Sequence, residues 1–230
     1  MMAVGLLAVP MGAMAQAGQD SPEGEAKTGW YMGVSAGIGL TGGESNLSSF
    51  GMDYRKNYKN GRVADVQAGY RWSRFWSAGL RLNQLWASSN YDVDAENDAF
   101  GYADDVKVSY IAPQIGVNLY SGKRAELWLQ GGVGYMHYRS EGYGFLNGGG
   151  TVEKMTVTSS SPAFNGDFRF DYKLTDFLYL NVTVTALYAN GFKKNKYKYD
   201  GDTKETIKPE DYVRLKLWRT DFSLGLTFKF

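Results

Sequence analysis

From Gly29 to the last residue, apolar and polar positions alternate with a period of two, the repeat of a β-strand and not of a helix. In the first such segment, residues 30–41, Trp30, Met32, Val34, Ala36, Ile38 and Leu40 share one face. Tyr31, Gly33, Ser35, Gly37, Gly39 and Thr41 share the other. Seven more segments follow the same rule, at residues 64–72, 76–83, 111–119, 126–135, 164–172, 178–186 and 221–230. Two places disturb it. Pro113 has no N–H for a ladder, so a bulge or a missing bond is expected there. Between Lys216 and Trp218 the alternation slips, which predicts a bulge near the start of the last strand.

The links between segments alternate in length. Residues 73–74, 121–124 and 173–176 make tight turns, whereas residues 42–61, 90–105, 140–155 and 189–211 read as long loops. An even number of strands with short links at one end and long links at the other predicts an all-β, eight-stranded antiparallel up-and-down transmembrane β-barrel. The long loops then lie outside the cell and both chain ends on the periplasmic side.

Alternation alone does not say which face points inward. A soluble eight-stranded barrel of the lipocalin kind would bury its apolar face. Bulk decides the matter, because an eight-stranded interior is only just wide enough for side chains to fill it. About five apolar groups per strand, many of them Trp, Phe, Leu or Tyr, would overfill that space, so they are expected to face lipid. The opposite face is rich in Gly, Ser, Thr and Asn. It also carries Arg71, Arg81, Arg169, Arg219 and Lys229 against Asp65, Glu126, Asp167, Asp171 and Asp221. Five charges oppose five, as an enclosed interior requires when an unpaired buried charge costs several kcal/mol. Two tiers are expected: Arg71, Lys229, Glu126 and Asp171 near the periplasmic end, and the other six nearer the middle. Together they would form a neutral ionic plug. Aromatic residues gather at both strand ends, with Trp30, Trp72, Trp76, Tyr120, Tyr172 and Phe230 at one and Trp86, Tyr135, Tyr138, Tyr188 and Trp218 at the other. Two such belts are expected at the membrane interfaces.

Composition narrows the function. Lys and Arg number 25 against 24 Asp and Glu, which gives no sign of nucleic-acid binding. With no cysteine there are no disulfides, thiolate metal sites or Cys nucleophiles. Residues 1–15 are uncharged and apolar and end in Ala13-Met14-Ala15, the pattern of a signal peptide cut before Gln16. Because a charged leading region is missing, the precursor's true start is expected upstream of Met1. Residues 16–28 are polar and aperiodic and read as a flexible lead-in, leaving residues 29–230 for the barrel. Export plus a strand-built span predicts the outer membrane of a Gram-negative bacterium.

Over residues 29–230 the sequence resembles the small outer-membrane barrels of the OmpA and OmpX type. The closing segment DFSLGLTFKF is similar to that family's terminal strand, with Phe230 last and apolar residues at alternate positions before it. The resemblance implies that Phe222, Leu224, Leu226, Phe228 and Phe230 are read by the barrel-assembly machinery during insertion. A peptidoglycan-binding domain of the kind many OmpA proteins carry is not expected here.

Candidate chemistry is sparse, and no enzyme, metal or cofactor is expected. His137 is the only histidine. Lipid A deacylases of this shape use a His and a Ser two residues later, but position 139 is Arg, and Ser140 belongs to the opposite face. Residues 92–98 (DVDAEND) begin like an EF-hand loop, yet Asn97 replaces its turn glycine and Ala103 its bidentate Glu. A solvated acidic loop is the simpler reading. Gly148-Gly149-Gly150 lacks the following Lys-Ser/Thr of a phosphate loop. The fourth long link carries Lys193, Lys194, Lys196, Lys198, Lys204 and Lys208, whose natural partner outside the cell is the phosphate of lipopolysaccharide. The expected role is therefore structural or surface-interacting, through the loops and their extracellular ligands. A small channel is the alternative, with a lipid-modifying enzyme behind it.

Overall fold

Each period-two segment forms a strand, and the strands close on themselves. The computed structural model describes residues 28–44, 60–93, 100–146, 151–190, 192, 195–199, 204–207 and 216–230. Its elements are β1 (Gly29–Glu44), β2 (Asn60–Arg71), β3 (Trp76–Val93), β4 (Phe100–Ser121), β5 (Ala125–Leu146), β6 (Thr151–Lys173), β7 (Leu178–Ala189), β8 (Asn195–Tyr199), β9 (Lys204–Ile207) and β10 (Lys216–Lys229). Neighbours pair antiparallel in the order β5-β4-β3-β2-β1-β10-β7-β6, and β5 with β6 closes the ring. Eight strands thus make the barrel, while β8 and β9 form a hairpin that pairs with β6 at residues 155–158. No described residue is helical, so the chain crosses its membrane with strands.

The register sets the barrel's dimensions. From Trp30, paired residues run through Tyr70, Ala78, Ile115, Gly131, Gly166, Ala186 and Thr220. The path returns to β1 at Leu40, ten residues above its start. A shear of ten over eight strands, with the usual rise of about 3.3 Å and spacing of about 4.8 Å, tilts the strands by about 41°. Trp30 and Leu40 are then about 25 Å apart along the axis, the height of a lipid-facing apolar band.

The exposed and buried faces follow the bulk argument. Large apolar residues point outward, including Trp30 at 66% exposure, Val133 at 57% and Phe168 at 56%, whereas Arg81 and Asp167 inside are at 1% and 0%. The periplasmic belt is complete on the outer face, where Trp30 and Tyr70 meet edge to face at 5.3 Å. In the outer belt Trp86, Tyr135, Tyr188 and Trp218 face outward, but Tyr138 is fully buried inside the barrel. Its position explains the difference: it lies an odd number of residues from Tyr135 and so belongs to the inner face.

Several expected boundaries change. Residues 90–105 and 140–155 are not loops for most of their length, because β3 runs to Val93, β4 starts at Phe100, β5 runs to Leu146 and β6 starts at Thr151. These four strands rise as a tall wall, with β1, β2, β7 and β10 forming the lower side. At Pro113 the β4–β5 pairing skips Ala112 and Pro113 without changing register. The shifts fall instead between Asn118 and Tyr120 and between Tyr143 and Gly144. No bulge forms at Lys216–Trp218, where pairing with β1 is continuous. The apparent slip arises because Leu217, an inward residue, is apolar. Residues 1–15, the lead-in up to residue 27, residues 94–98 of the acidic link and Gly148-Gly149-Gly150 lie outside the described residues.

Glycine makes room where inner side chains are largest. Gly69 and Gly79 pair across β2 and β3 beneath the Tyr31 ring, and a Cβ at Gly69 would lie 2.6 Å from the Tyr31 hydroxyl and 2.4 Å from the Ala78 carbonyl oxygen. Gly69→Val is expected to cost about 1–3 kcal/mol by overpacking, read as a lower urea midpoint in lipid vesicles.

Candidate functional site

The lumen is filled by two layers of different chemistry. The periplasmic half is ionic. Arg71 makes a two-pronged contact with Glu126, at 2.7 and 3.3 Å, and Lys229 reaches the same carboxylate at 2.9 Å. Lys229 also contacts Asp171 at 2.8 Å, and Asp171 in turn accepts from a terminal nitrogen of Arg169 at 3.1 Å. Three rings complete this tier. Trp128 donates to Glu126 at 2.9 Å and lies under the Arg71 guanidinium at 4.3 Å; Tyr179 and Tyr31 face Lys229 and Arg169.

Arg81 organises the next tier up. Its Nε donates to Asp65 at 2.5 Å, one terminal nitrogen to Asp167 and the other to Thr185 at 2.8 Å. Asp221 accepts from Arg219 Nε at 3.2 Å and from Asn83 at 3.3 Å, while Arg219 also donates to Asn83 Oδ1. Asn165 joins Tyr110 to Asp167.

All ten charges that the pattern placed inside lie in the lumen, but their grouping differs from the expected tiers. Arg169 bonds downward to Asp171 and to Gln67. The lower tier thus holds Arg71, Arg169 and Lys229 against Glu126 and Asp171. The upper tier holds Arg81 and Arg219 against Asp65, Asp167 and Asp221. Neither cancels alone; the set cancels as a whole.

Above this network the interior turns apolar. Val63, Leu85, Val106, Val108, Met136, Tyr138, Leu187 and Leu217 pack into one buried cluster with Phe192, which follows β7. The polar-lumen expectation fails here for a physical reason. Once the strands leave the membrane, water lies outside, so the apolar phase crosses to the inner face: Val106, Val108 and Tyr110 point in, while Lys107 points out. The void at the junction of the two layers, lined by residues such as Thr41, Met136 and Arg219, holds about 10 Å³, roughly one water. At the top of the wall Asp104 accepts from Ser140 at 2.6 Å.

The outer face just above the aromatic belt is polar. Arg62, Trp86, Lys107 and Arg139 are successive cross-strand partners on β2, β3, β4 and β5. Lys107 and Arg139 stand directly opposite each other, which is unfavourable unless an anion joins them. Arg139 pairs with Glu141, as does Lys154 at 3.1 Å. The Lys154 hydrogen bond holds the Glu141 carboxyl below the usual carboxylate range, with burial opposing it and Arg139 assisting.

His137 lies one outward position above Tyr135, and its Nδ1 is 2.8 Å from the Ser160 hydroxyl across the β5–β6 pairing. Ser160 is not a candidate in the sequence, since it is 23 residues away. A serine beside a histidine is the beginning of a nucleophilic site. Among the described residues, however, no carboxylate bonds to His137 to orient it. Nor do the described residues hold a cluster of three metal-binding side chains.

On β10, Phe222 and Leu224 face outward, as does Phe230 just after it, with Leu226 and Phe228 half-buried in the same row. Lys193 and Lys194 lie outside the described residues; Lys196 and Lys198 belong to β8.

The fold is shared with known outer-membrane barrels. The chain is similar to a major outer membrane protein from Thermus thermophilus, with 17% identity over 87% of this chain and 99% of that one and a TM-score of 0.58. It is also similar to Neisserial surface protein A, with 15% identity over 90% and 100% and a TM-score of 0.46. A third is the outer membrane protease OmpT from Escherichia coli, with 10% identity over 92% and 99% and a TM-score of 0.48. At such identities the likeness concerns the fold alone. No curated protein matches the sequence. The family model for the outer membrane protein beta-barrel domain matches residues 2–230, and with a closed eight-stranded ring bearing a lipid-height apolar band, the chain belongs to that family and resides in the outer membrane.

Proposed function

We propose that this protein is a closed, non-conducting barrel that acts at the cell surface, by structural support and by binding through its extracellular wall and loops. One observation carries the reading: the interior is filled by a salt-bridged layer below and an apolar layer above. Ions crossing it would have to break buried pairs and then enter a dry apolar zone, and both steps are costly. In planar bilayers the folded chain is expected to give no discrete conductance steps. Reproducible steps would support the channel reading and overturn this one.

Lipopolysaccharide is its proposed lipid partner, with its phosphates meeting Arg62, Lys107 and Arg139 beside Trp86, and with Lys193, Lys194, Lys196 and Lys198 of the fourth link as further contacts. Each cation near an anionic membrane surface contributes about 1 kcal/mol. The variant Arg62→Gln/Lys107→Gln/Arg139→Gln is expected to bind lipopolysaccharide roughly tenfold or more weakly at low salt, with the difference shrinking as salt rises. Equal binding by both forms would remove this partner. During biogenesis, the outward row of β10 would be presented to the barrel-assembly machinery.

A further inference from the structure

At the opposite end of the barrel, two periplasmic turns line an open cleft of about 620 Å³. The β4–β5 turn supplies Lys123 and Arg124, and the β6–β7 turn supplies Lys173, Thr175 and Asp176. We infer that this cleft binds the headgroup of an anionic glycerophospholipid, through its phosphate, in the periplasmic leaflet of the outer membrane.

Three features carry the inference. The first is charge: three cations face one carboxylate, and that carboxylate, Asp176, sits 2.8 Å from Lys173 Nζ, leaving a cationic surplus. An anion is the complementary ligand.

The second is preorganisation. The two turns are tied together, since the Lys173 amide donates to the Arg124 carbonyl at 2.8 Å. Within the second turn the Thr175 hydroxyl oxygen accepts from the Leu178 amide at 3.1 Å, which leaves its proton to donate outward. The cations are thus held on short, bonded turns and not on long loops, which lowers the entropy cost of gathering them.

The third is height. Tyr172 walls the cleft and is also part of the periplasmic aromatic belt; Leu174 and Phe177 beside it are half exposed at 50% and 52%. Apolar side chains on an aqueous turn are ordinarily disfavoured, but at a membrane interface they enter the acyl region next to the headgroup. A headgroup phosphate in the cleft would have its own acyl chains alongside these residues. A dissolved anion or a cell-wall polymer would make no use of them. The cleft therefore fits a lipid.

Native mass spectrometry of the folded full chain, released from mixed micelles of phosphatidylglycerol and phosphatidylethanolamine, tests this. Phosphatidylglycerol is expected to be retained preferentially. Lys123→Gln/Arg124→Gln/Lys173→Gln is expected to lose about tenfold or more of that retention. Arg74→Gln, in the remaining periplasmic turn, is expected to leave it unchanged. A heat-modifiability gel verifies that each variant is folded. Equal retention of the two lipids, an unaltered triple variant, or an equal loss with Arg74→Gln would overturn the proposal. Displacement of the lipid by millimolar inorganic phosphate would also overturn it, by showing an ion site instead of a lipid site.

Discussion

Arg81→Ala will destabilise the folded barrel by about 3–5 kcal/mol, the cost of removing one partner from a buried ionic contact. Arg81 alone joins three strands, bonding Asp65 on β2, Asp167 on β6 and Thr185 on β7 from its place on β3. Without it, two carboxylates at 2% and 0% exposure share a closed space with no counter-charge from that side. Arg81→Lys restores the charge but not the fork, since one ammonium cannot match the rigid guanidinium geometry at three acceptors. It is expected to recover only part of the loss. Urea titration in lipid vesicles, followed by the shift in gel mobility between unboiled and boiled samples, measures both. An unchanged midpoint for Arg81→Ala would mean that the charges are solvated, and the closed interior would be wrong.

Leu224→Arg is the second large effect, expected at about 2–4 kcal/mol. Leu224 lies midway along β10 between Trp218 and Phe230, at 57% exposure on the outer face. In water such a change on an exposed residue is nearly neutral. In lipid it places a charge at the bilayer centre, where the cost peaks and from which it falls to about 0–1 kcal/mol at the interfaces. The companion Trp218→Arg, at the outer belt, should therefore cost much less. Equal small losses at both positions, measured by the same titration, would argue that no lipid surrounds the barrel.

How much of the fold is legible in the sequence depends on where each residue lies relative to the membrane. Within the bilayer the solvent outside is apolar, so one rule holds. Trp30 to Leu40 on β1 and Phe222 to Phe230 on β10 alternate legibly, and bulk alone assigns the faces. Arg81, Asp65 and Asp167 can be placed inside from parity, although not joined to one another, because shear sets which strands meet. For the same reason, height along the strand groups Arg169 with the middle charges, whereas its bond is to Asp171 below. Trp128 escapes the pattern because bulk argues against an inward Trp; its indole N–H to Glu126 and the Arg71 face above it are the contacts that hold it there.

Beyond the outer belt the rule inverts. Val106-Lys107-Val108-Ser109-Tyr110 is a clean alternation, but its apolar phase is opposite to that of Ile111 to Leu119. Such a phase reversal looks like the end of a strand, although here it marks the strand's exit from lipid into water. The reversal is the signal that could have revealed the tall wall of β3 to β6 and the apolar upper lumen. His137 and Ser160 show the complementary limit, since a cross-strand contact 23 residues apart needs the register before it can be seen.

Tryptophan quenching by brominated lipids addresses the core of the account most directly. Of the six tryptophans, Trp30, Trp72, Trp76, Trp86 and Trp218 face outward at the belts, while Trp128 is 1% exposed within the lumen. In vesicles of bromolipid, a variant keeping Trp76 alone should lose most of its fluorescence, and one keeping Trp128 alone should lose almost none. Strong quenching of Trp128 with a silent Trp76 would turn the barrel inside out and contradict the account.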